Sequence, residues 1–145
     1  MTFSLPQSSK KTFSSSLREN GLRPTKQRAC VYWVILGKRD HPTADDIYDR
    51  VRKHLPGTSF ATVYNCLETL VGCGLVRQVN LDRSPTRYCP NLTPHAHFKC
   101  IKSGKIYDVQ IDEDTLSRMH SLVPEGFEAE NIDLCFSGIR KTVSN

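Results

Sequence analysis

Apolar residues return three and four positions apart along most of the first 74 residues, then give way to short stretches in which apolar and polar residues alternate. The polar, serine-rich segment 1–11 predicts a loose tail. A short helix is expected over about 12–20, ended by Asn20-Gly21, a pair that favours a left-handed stop. Thr25 is placed to cap a second helix, in which Cys30, Val31, Val34 and Ile35 share a face as far as Gly37. A third begins at Thr43, where Asp46 makes an acidic capping box and Ala44, Ile47, Tyr48 and Val51 form one stripe; Pro56-Gly57 closes it. Ser59 caps the fourth, SFATVYNCLETLVGCG, with Val63, Leu67 and Leu70 on its apolar face and Gly72 and Gly74 at its end. Two short β stretches follow, 75–81 and 86–89, joined by the turn Asp82-Arg83-Ser84-Pro85.

Helix, tight turn, helix and hairpin, in that order, predict a winged helix-turn-helix. There the fourth helix enters the DNA major groove with its first turns toward the bases. Ser59, Thr62, Tyr64 and Asn65 lie early on that helix, where hydroxyls and an amide reach bases or phosphate. Arg23, Lys26 and Arg28 near the start of the second helix, and Arg83 on the wing, are placed to neutralise phosphates. The charge supports this division: residues 1–91 hold 14 Lys and Arg against 7 Asp and Glu, whereas 92–145 hold 6 against 8. A DNA-binding domain over 1–91, with 1–11 as its tail, and a second domain over 92–145 are therefore expected. No run of about 18 apolar residues spans a membrane. The N-terminus MTFSLPQSSKKTFSSS lacks the apolar stretch of a signal peptide, so a cytoplasmic protein is expected.

From Thr93 the pattern changes to Pro-His-Ala-His-Phe-Lys-Cys, a turn, and Lys-Ile-Tyr-Asp-Val, which predicts a β-hairpin. Residues two apart on a strand point to one face, so His95 and His97 can aim both imidazoles at a single ion, with Asp108 downstream. Imidazole, carboxylate and thiolate are the usual donors to transition metals. Cys89, six residues before His95, and His41, between the second and third helices, are the further candidates. Six cysteines in a cytosolic chain are expected to be reduced, and none forms a Cys-x-x-Cys pair, which excludes zinc ribbons and thioredoxin-like motifs. Cys30, Cys66 and Cys73 fall inside helical patterns and read as small apolar fillers. A hydrolytic metalloenzyme is disfavoured, because no His-Glu-x-x-His motif or oxyanion-binding loop accompanies the histidines.

The segments HPTADDIYDRVRKHLP (41–56), SFATVYNCLETLVGCGLVRQ (59–78), TRYCPNLTPHAHFKC (86–100) and SGKIYDV (103–109) resemble the ferric uptake regulator (Fur) superfamily, in family order from about residue 18 to 140. The resemblance implies an α+β protein: an N-terminal winged helix-turn-helix domain, then a small α/β dimerisation domain, acting as a homodimer on an inverted repeat. It also carries the family's regulatory metal site onto His41, Cys89, His95, His97 and Asp108. The Cys89 position is commonly Asp or Glu in iron and peroxide sensors and often Cys in zinc sensors. The Asp108 position is commonly Asp in peroxide sensors and Glu in most others. The chain thus mixes the signatures of peroxide-sensing (PerR-like) and zinc-sensing (Zur-like) members. The thiolate sets zinc slightly ahead of iron and manganese.

Departures from the family matter as much. The structural zinc usually held by two Cys-x-x-Cys pairs is matched here by Cys100 and Ser103, then by Arg140 and Val143, so no structural four-cysteine zinc site is expected. Dimer stability would then rest on Phe127, Ile132, Leu134 and Phe136, and Cys135 is expected to pack or stay free. Pro94, Ala96 and Ile132 replace the ligands of a secondary site, leaving one regulatory metal per subunit. The resulting expectation is a metal-dependent repressor, not an enzyme, controlling metal-homeostasis or peroxide-stress genes. Its partners are a double-stranded DNA operator and a second copy of itself, with no membrane and no small-molecule substrate. The alternative is a thiol-based redox-sensing regulator with no obligatory metal, in which Cys89 beside two histidines is the oxidised group.

Overall fold

The first helix, α1 (Gln7–Glu19), starts ahead of the expected position near residue 12, in the computed structural model that describes residues 3–81 and 84–141. The reason lies in its neighbours. Pro6, at φ −54°, is already shaped for a helix start, and its carbonyl accepts from the Lys10 N–H at 2.8 Å. Phe13 and Leu17, one turn apart, are buried, and Phe3 and Leu5 pack on the same core. Residues 7–11 are drawn into the helix instead of forming a tail.

The next three helices begin at the capping residues read from the sequence. The Thr25 hydroxyl accepts from the Arg28 N–H at 3.2 Å at the head of α2 (Lys26–Gly37). Thr43 and Asp46 form a reciprocal capping box at 3.2 and 3.0 Å on α3 (Ala44–Arg52). The Ser59 hydroxyl accepts from the Thr62 N–H at 3.1 Å on α4 (Phe60–Gly72). Antiparallel strands β1 (Arg77–Val79) and β2 (Arg87–Cys89) complete the wing, in the register Arg77↔Cys89, Gln78↔Tyr88 and Val79↔Arg87. Arg83, expected to meet phosphate from the wing, lies outside the described residues.

The chain divides into two compact units, Met1–Leu92 and Thr93–Asn145. The first buries Leu17, Val31, Ile35, Ile47, Val51, Val63, Leu67 and Leu70 completely. Each such side chain contributes about 1.5–3 kcal/mol relative to exposure. Cys30 and Cys66 sit in this core; burial pushes the Cys30 thiol up to about 11 and raises Cys66 as well. They are apolar filler, as their helical positions suggest.

The second unit is a three-stranded sheet in the order β4-β3-β5 with one helix: β3 (His95–Cys100), β4 (Ile106–Gln110), α5 (Glu113–His120) and β5 (Cys135–Gly138). β3 and β4 make the expected hairpin, whose turn places Gly104 at φ +74°. β5 returns parallel to β3 through α5, which Asp112 caps by accepting from the Thr115 N–H at 2.7 Å. The interior is thin: Ala96, Ile106 and His95 are buried, whereas Phe127, Phe136, Leu122 and Ile139 remain exposed. Val143 lies outside the described residues.

Candidate metal centre

Each unit presents part of the expected ligand set. In the first, His41 lies in the loop between α2 and α3 at φ +54°, a left-handed conformation that non-glycine residues seldom adopt. Such a residue costs on the order of 1–3 kcal/mol and persists where its surroundings over-determine it. Here three interactions do so. The Asp40 carboxylate accepts two hydrogen bonds from Arg50, at 3.0 and 2.8 Å. The Arg87 guanidinium donates to the His41 carbonyl at 2.9 Å, and the Tyr88 N–H donates to the Pro42 carbonyl at 2.9 Å. The hydrogen bond from Arg50 and its charge hold the Asp40 carboxyl below the usual carboxylate range.

These contacts dock the loop along β2, whose last residue is Cys89. A ring nitrogen of His41 and the Cys89 sulfur come within 4.8 Å of one another, and both residues are buried, at 5% and 2% exposure. The Asn91 N–H donates to Cys89 Sγ at 3.4 Å.

In the second unit His95, His97 and Asp108 converge. His95 and His97 alternate on β3, and Asp108 is the cross-strand partner of His97 on β4. The two Nε2 atoms are 3.1 Å apart, and Asp108 Oδ1 lies 3.5 Å from that of His95 and 3.4 Å from that of His97. Donors around a tetrahedral zinc with bonds of about 2.0–2.1 Å stand roughly 3.3–3.4 Å apart. The triangle therefore already has the dimensions of one face of a coordination tetrahedron. His95 Nδ1 lies 2.7 Å from the Thr93 carbonyl, which can only accept, so Nδ1 carries the proton and Nε2 keeps its lone pair for an ion. Two imidazoles, one buried and one half-buried, beside an exposed carboxylate suit a divalent transition metal.

The expected DNA contacts divide into two groups. On α4, Tyr64 and Asn65 are exposed, whereas the Ser59 and Thr62 hydroxyls are 3.0 Å apart and occupied with the cap. Arg23 and Lys26 stand in solvent; Arg28 is half-buried and donates to the Arg23 carbonyl at 2.7 Å, bracing the loop that carries it. Sequence reasoning missed Arg87, Asp40 and Arg50. The Arg87–His41 contact spans 46 residues and no local pattern announces it. Cys100 has the Ser103 hydroxyl as its partner, and that hydrogen bond lowers its thiol, with Arg140 adding a smaller effect.

Residues 19–137 match the Ferric uptake regulator family. The Peroxide-responsive repressor PerR of Staphylococcus epidermidis is 37% identical over 102 residues, 68% of each chain. Among solved structures, the ferric uptake regulator of Pseudomonas aeruginosa with manganese superposes with a TM-score of 0.73 at 26% identity, over 90% of this chain and 98% of that one. The peroxide stress regulator of Campylobacter jejuni gives 0.68 at 27% identity, over 97% and 98%.

Proposed function

The chain belongs to the ferric uptake regulator family, whose members are transcriptional regulators and not enzymes, and from that premise we propose a homodimeric repressor whose affinity for an inverted-repeat operator is set by one transition-metal ion per subunit. The observation that carries this reading is the ligand-sized triangle of His95, His97 and Asp108, together with a second pair, His41 and Cys89, built into the DNA-binding unit. When bound, the metal supplies a bond network that no side chain can replace. His95, His97 and Asp108 would hold it from the sheet, and His41 and Cys89 are the donors that the winged-helix unit would offer. Spacing between the two recognition helices of the dimer then depends on occupancy, because half-sites must be met one or more helical turns apart. The Cys89 thiol gives up its proton on binding, so metal affinity falls as pH is lowered.

Phosphate contact falls to Arg23, Lys26 and Arg28, with Arg83 a further cation by its place in the sequence, and base contact to Tyr64 and Asn65, followed by Ser59 and Thr62, whose hydroxyls already serve the cap. The exposed apolar residues of the second unit, Phe127, Leu134 and Phe136 among them, serve the dimer. No described helix is long and apolar enough to cross a membrane, in keeping with a cytoplasmic site of action. The thiolate donor favours zinc over iron and manganese. The Staphylococcus epidermidis relative, by its name, responds to peroxide, which keeps peroxide-stress genes beside metal-homeostasis genes as targets.

The test selects an operator from a random duplex pool with metal-loaded protein, then titrates binding with zinc, iron and manganese, before and after peroxide. Cys89→Ala and His97→Ala are expected to keep their helical circular dichroism and lose metal-dependent binding. Unchanged metal-dependent binding in both variants would exclude the metal clamp. Peroxide sensitivity of the metal-free protein, with loss of thiols, would favour the redox alternative.

A further inference from the structure

The register of the sheet places a second thiol beside the metal ligands. β5 pairs with β3 so that Cys135 is the partner of His97, and His97 is in turn the partner of Asp108 on β4. The His97 N–H donates to the Leu134 carbonyl at 3.0 Å, which fixes that register at this point. Partners on neighbouring strands, roughly 4.7–4.9 Å apart, project from the same face of a sheet. Asp108, His97 and Cys135 thus form a row across all three strands, with His95 two residues along β3 on the same face.

We propose that Cys135 is an alternative thiolate ligand, so that the second unit alone can assemble a Cys-His-His-Asp set around a soft divalent metal. This rests on His97 and Asp108 being ligands, as argued above. Cys135 is exposed, and its thiol donates to the Phe136 carbonyl at 3.5 Å, a weak contact along its own strand. Ligation requires the sulfur to turn from that carbonyl toward His97 by rotation about the Cα–Cβ bond. On binding, a metal–sulfur bond forms and the thiol proton passes to solvent; nothing is oxidised or reduced. Two imidazoles, a carboxylate and a thiolate satisfy tetrahedral coordination. The consequence is that the second unit can retain the ion without Cys89. Metal retention and operator binding then become separable, with the choice of sulfur deciding between them.

Cobalt(II) reads this directly, since each cobalt–thiolate bond adds a near-ultraviolet charge-transfer band. The full-length wild type, Cys89→Ser, Cys135→Ser, the double variant and His97→Ala are titrated with cobalt, and circular dichroism checks the fold of each. Cys89→Ser is expected to retain a one-thiolate band, and the double variant to lose it entirely. A cobalt complex of Cys89→Ser with no sulfur band would overturn the proposal, as would a band that survives in the double variant. Failure of the underlying ligand assignment looks different: His97→Ala would then bind cobalt with wild-type affinity and spectrum.

Discussion

His41 is held in a conformation its own backbone resists, and the groups that hold it are separate from those that would touch a metal. Arg87 acts on the His41 carbonyl and not on its ring. Arg87→Met is therefore expected to leave the fold intact and weaken metal binding by about 10–100-fold, the usual range for a group that orients a ligand. Competition against a chromophoric chelator measures it, and an unchanged affinity would show that His41 needs no such support. Asp40 makes a different prediction. Its carboxyl is depressed by Arg50, so its stabilising effect is fully present above the ordinary value of 3.8 and is lost as pH falls through the lower folded value. The pair is partly exposed, at 24% for Arg50 and 41% for Asp40, and solvent screening limits it to about 0.5–1 kcal/mol. Asp40→Asn should lower the melting temperature at pH 7 and converge with wild type in strong acid. Thermal melts at the two pH values check the sign.

Among the elements, α4 works on two faces at once. Val63, Leu67 and Leu70 are fully buried, whereas Tyr64 and Asn65 face solvent. Leu67→Ala is expected to cost about 2–5 kcal/mol in denaturant unfolding. Asn65→Ala should leave stability unchanged and weaken operator binding by about 1–3 kcal/mol at the base it reads. Lys26→Ala should instead weaken all duplexes alike and reduce the salt slope by about 1. Titrations of matched and scrambled duplexes at several salt concentrations separate the two. The starts of α2, α3 and α4 were legible because Thr25, Thr43 and Ser59 bond to backbone within three residues of themselves. The start of α1 was not, since it depends on Phe3 and Leu5 reaching a core assembled from distant helices. α5 and β5 were not placed from the sequence; both are short, α5 buries no residue and β5 is exposed nearly throughout.

For the whole molecule, strand spacing singled out His95 and His97 with Asp108 downstream and offered Cys89 and His41 as further candidates, and the family resemblance gathered the five into one expected site. The supports of the site stayed hidden, because pairings such as Arg87 with the His41 loop are made by tertiary packing across dozens of residues. If one ion bonds to both units, metal binding and operator binding are a single coupled equilibrium. A metal that tightens operator binding by some factor must itself bind more tightly by that same factor once the operator is present. Couplings of this kind are typically about 1–3 kcal/mol, or roughly 5–150-fold. Zinc affinity is therefore to be measured with and without saturating operator, and operator affinity with and without zinc, in the wild type and in Cys89→Ser. Equal factors are expected in the wild type. In Cys89→Ser both should fall toward unity even where zinc stays bound through Cys135, since the ion then has lost its bond to the winged helix. Full coupling without Cys89 would show that the signal reaches DNA by another route.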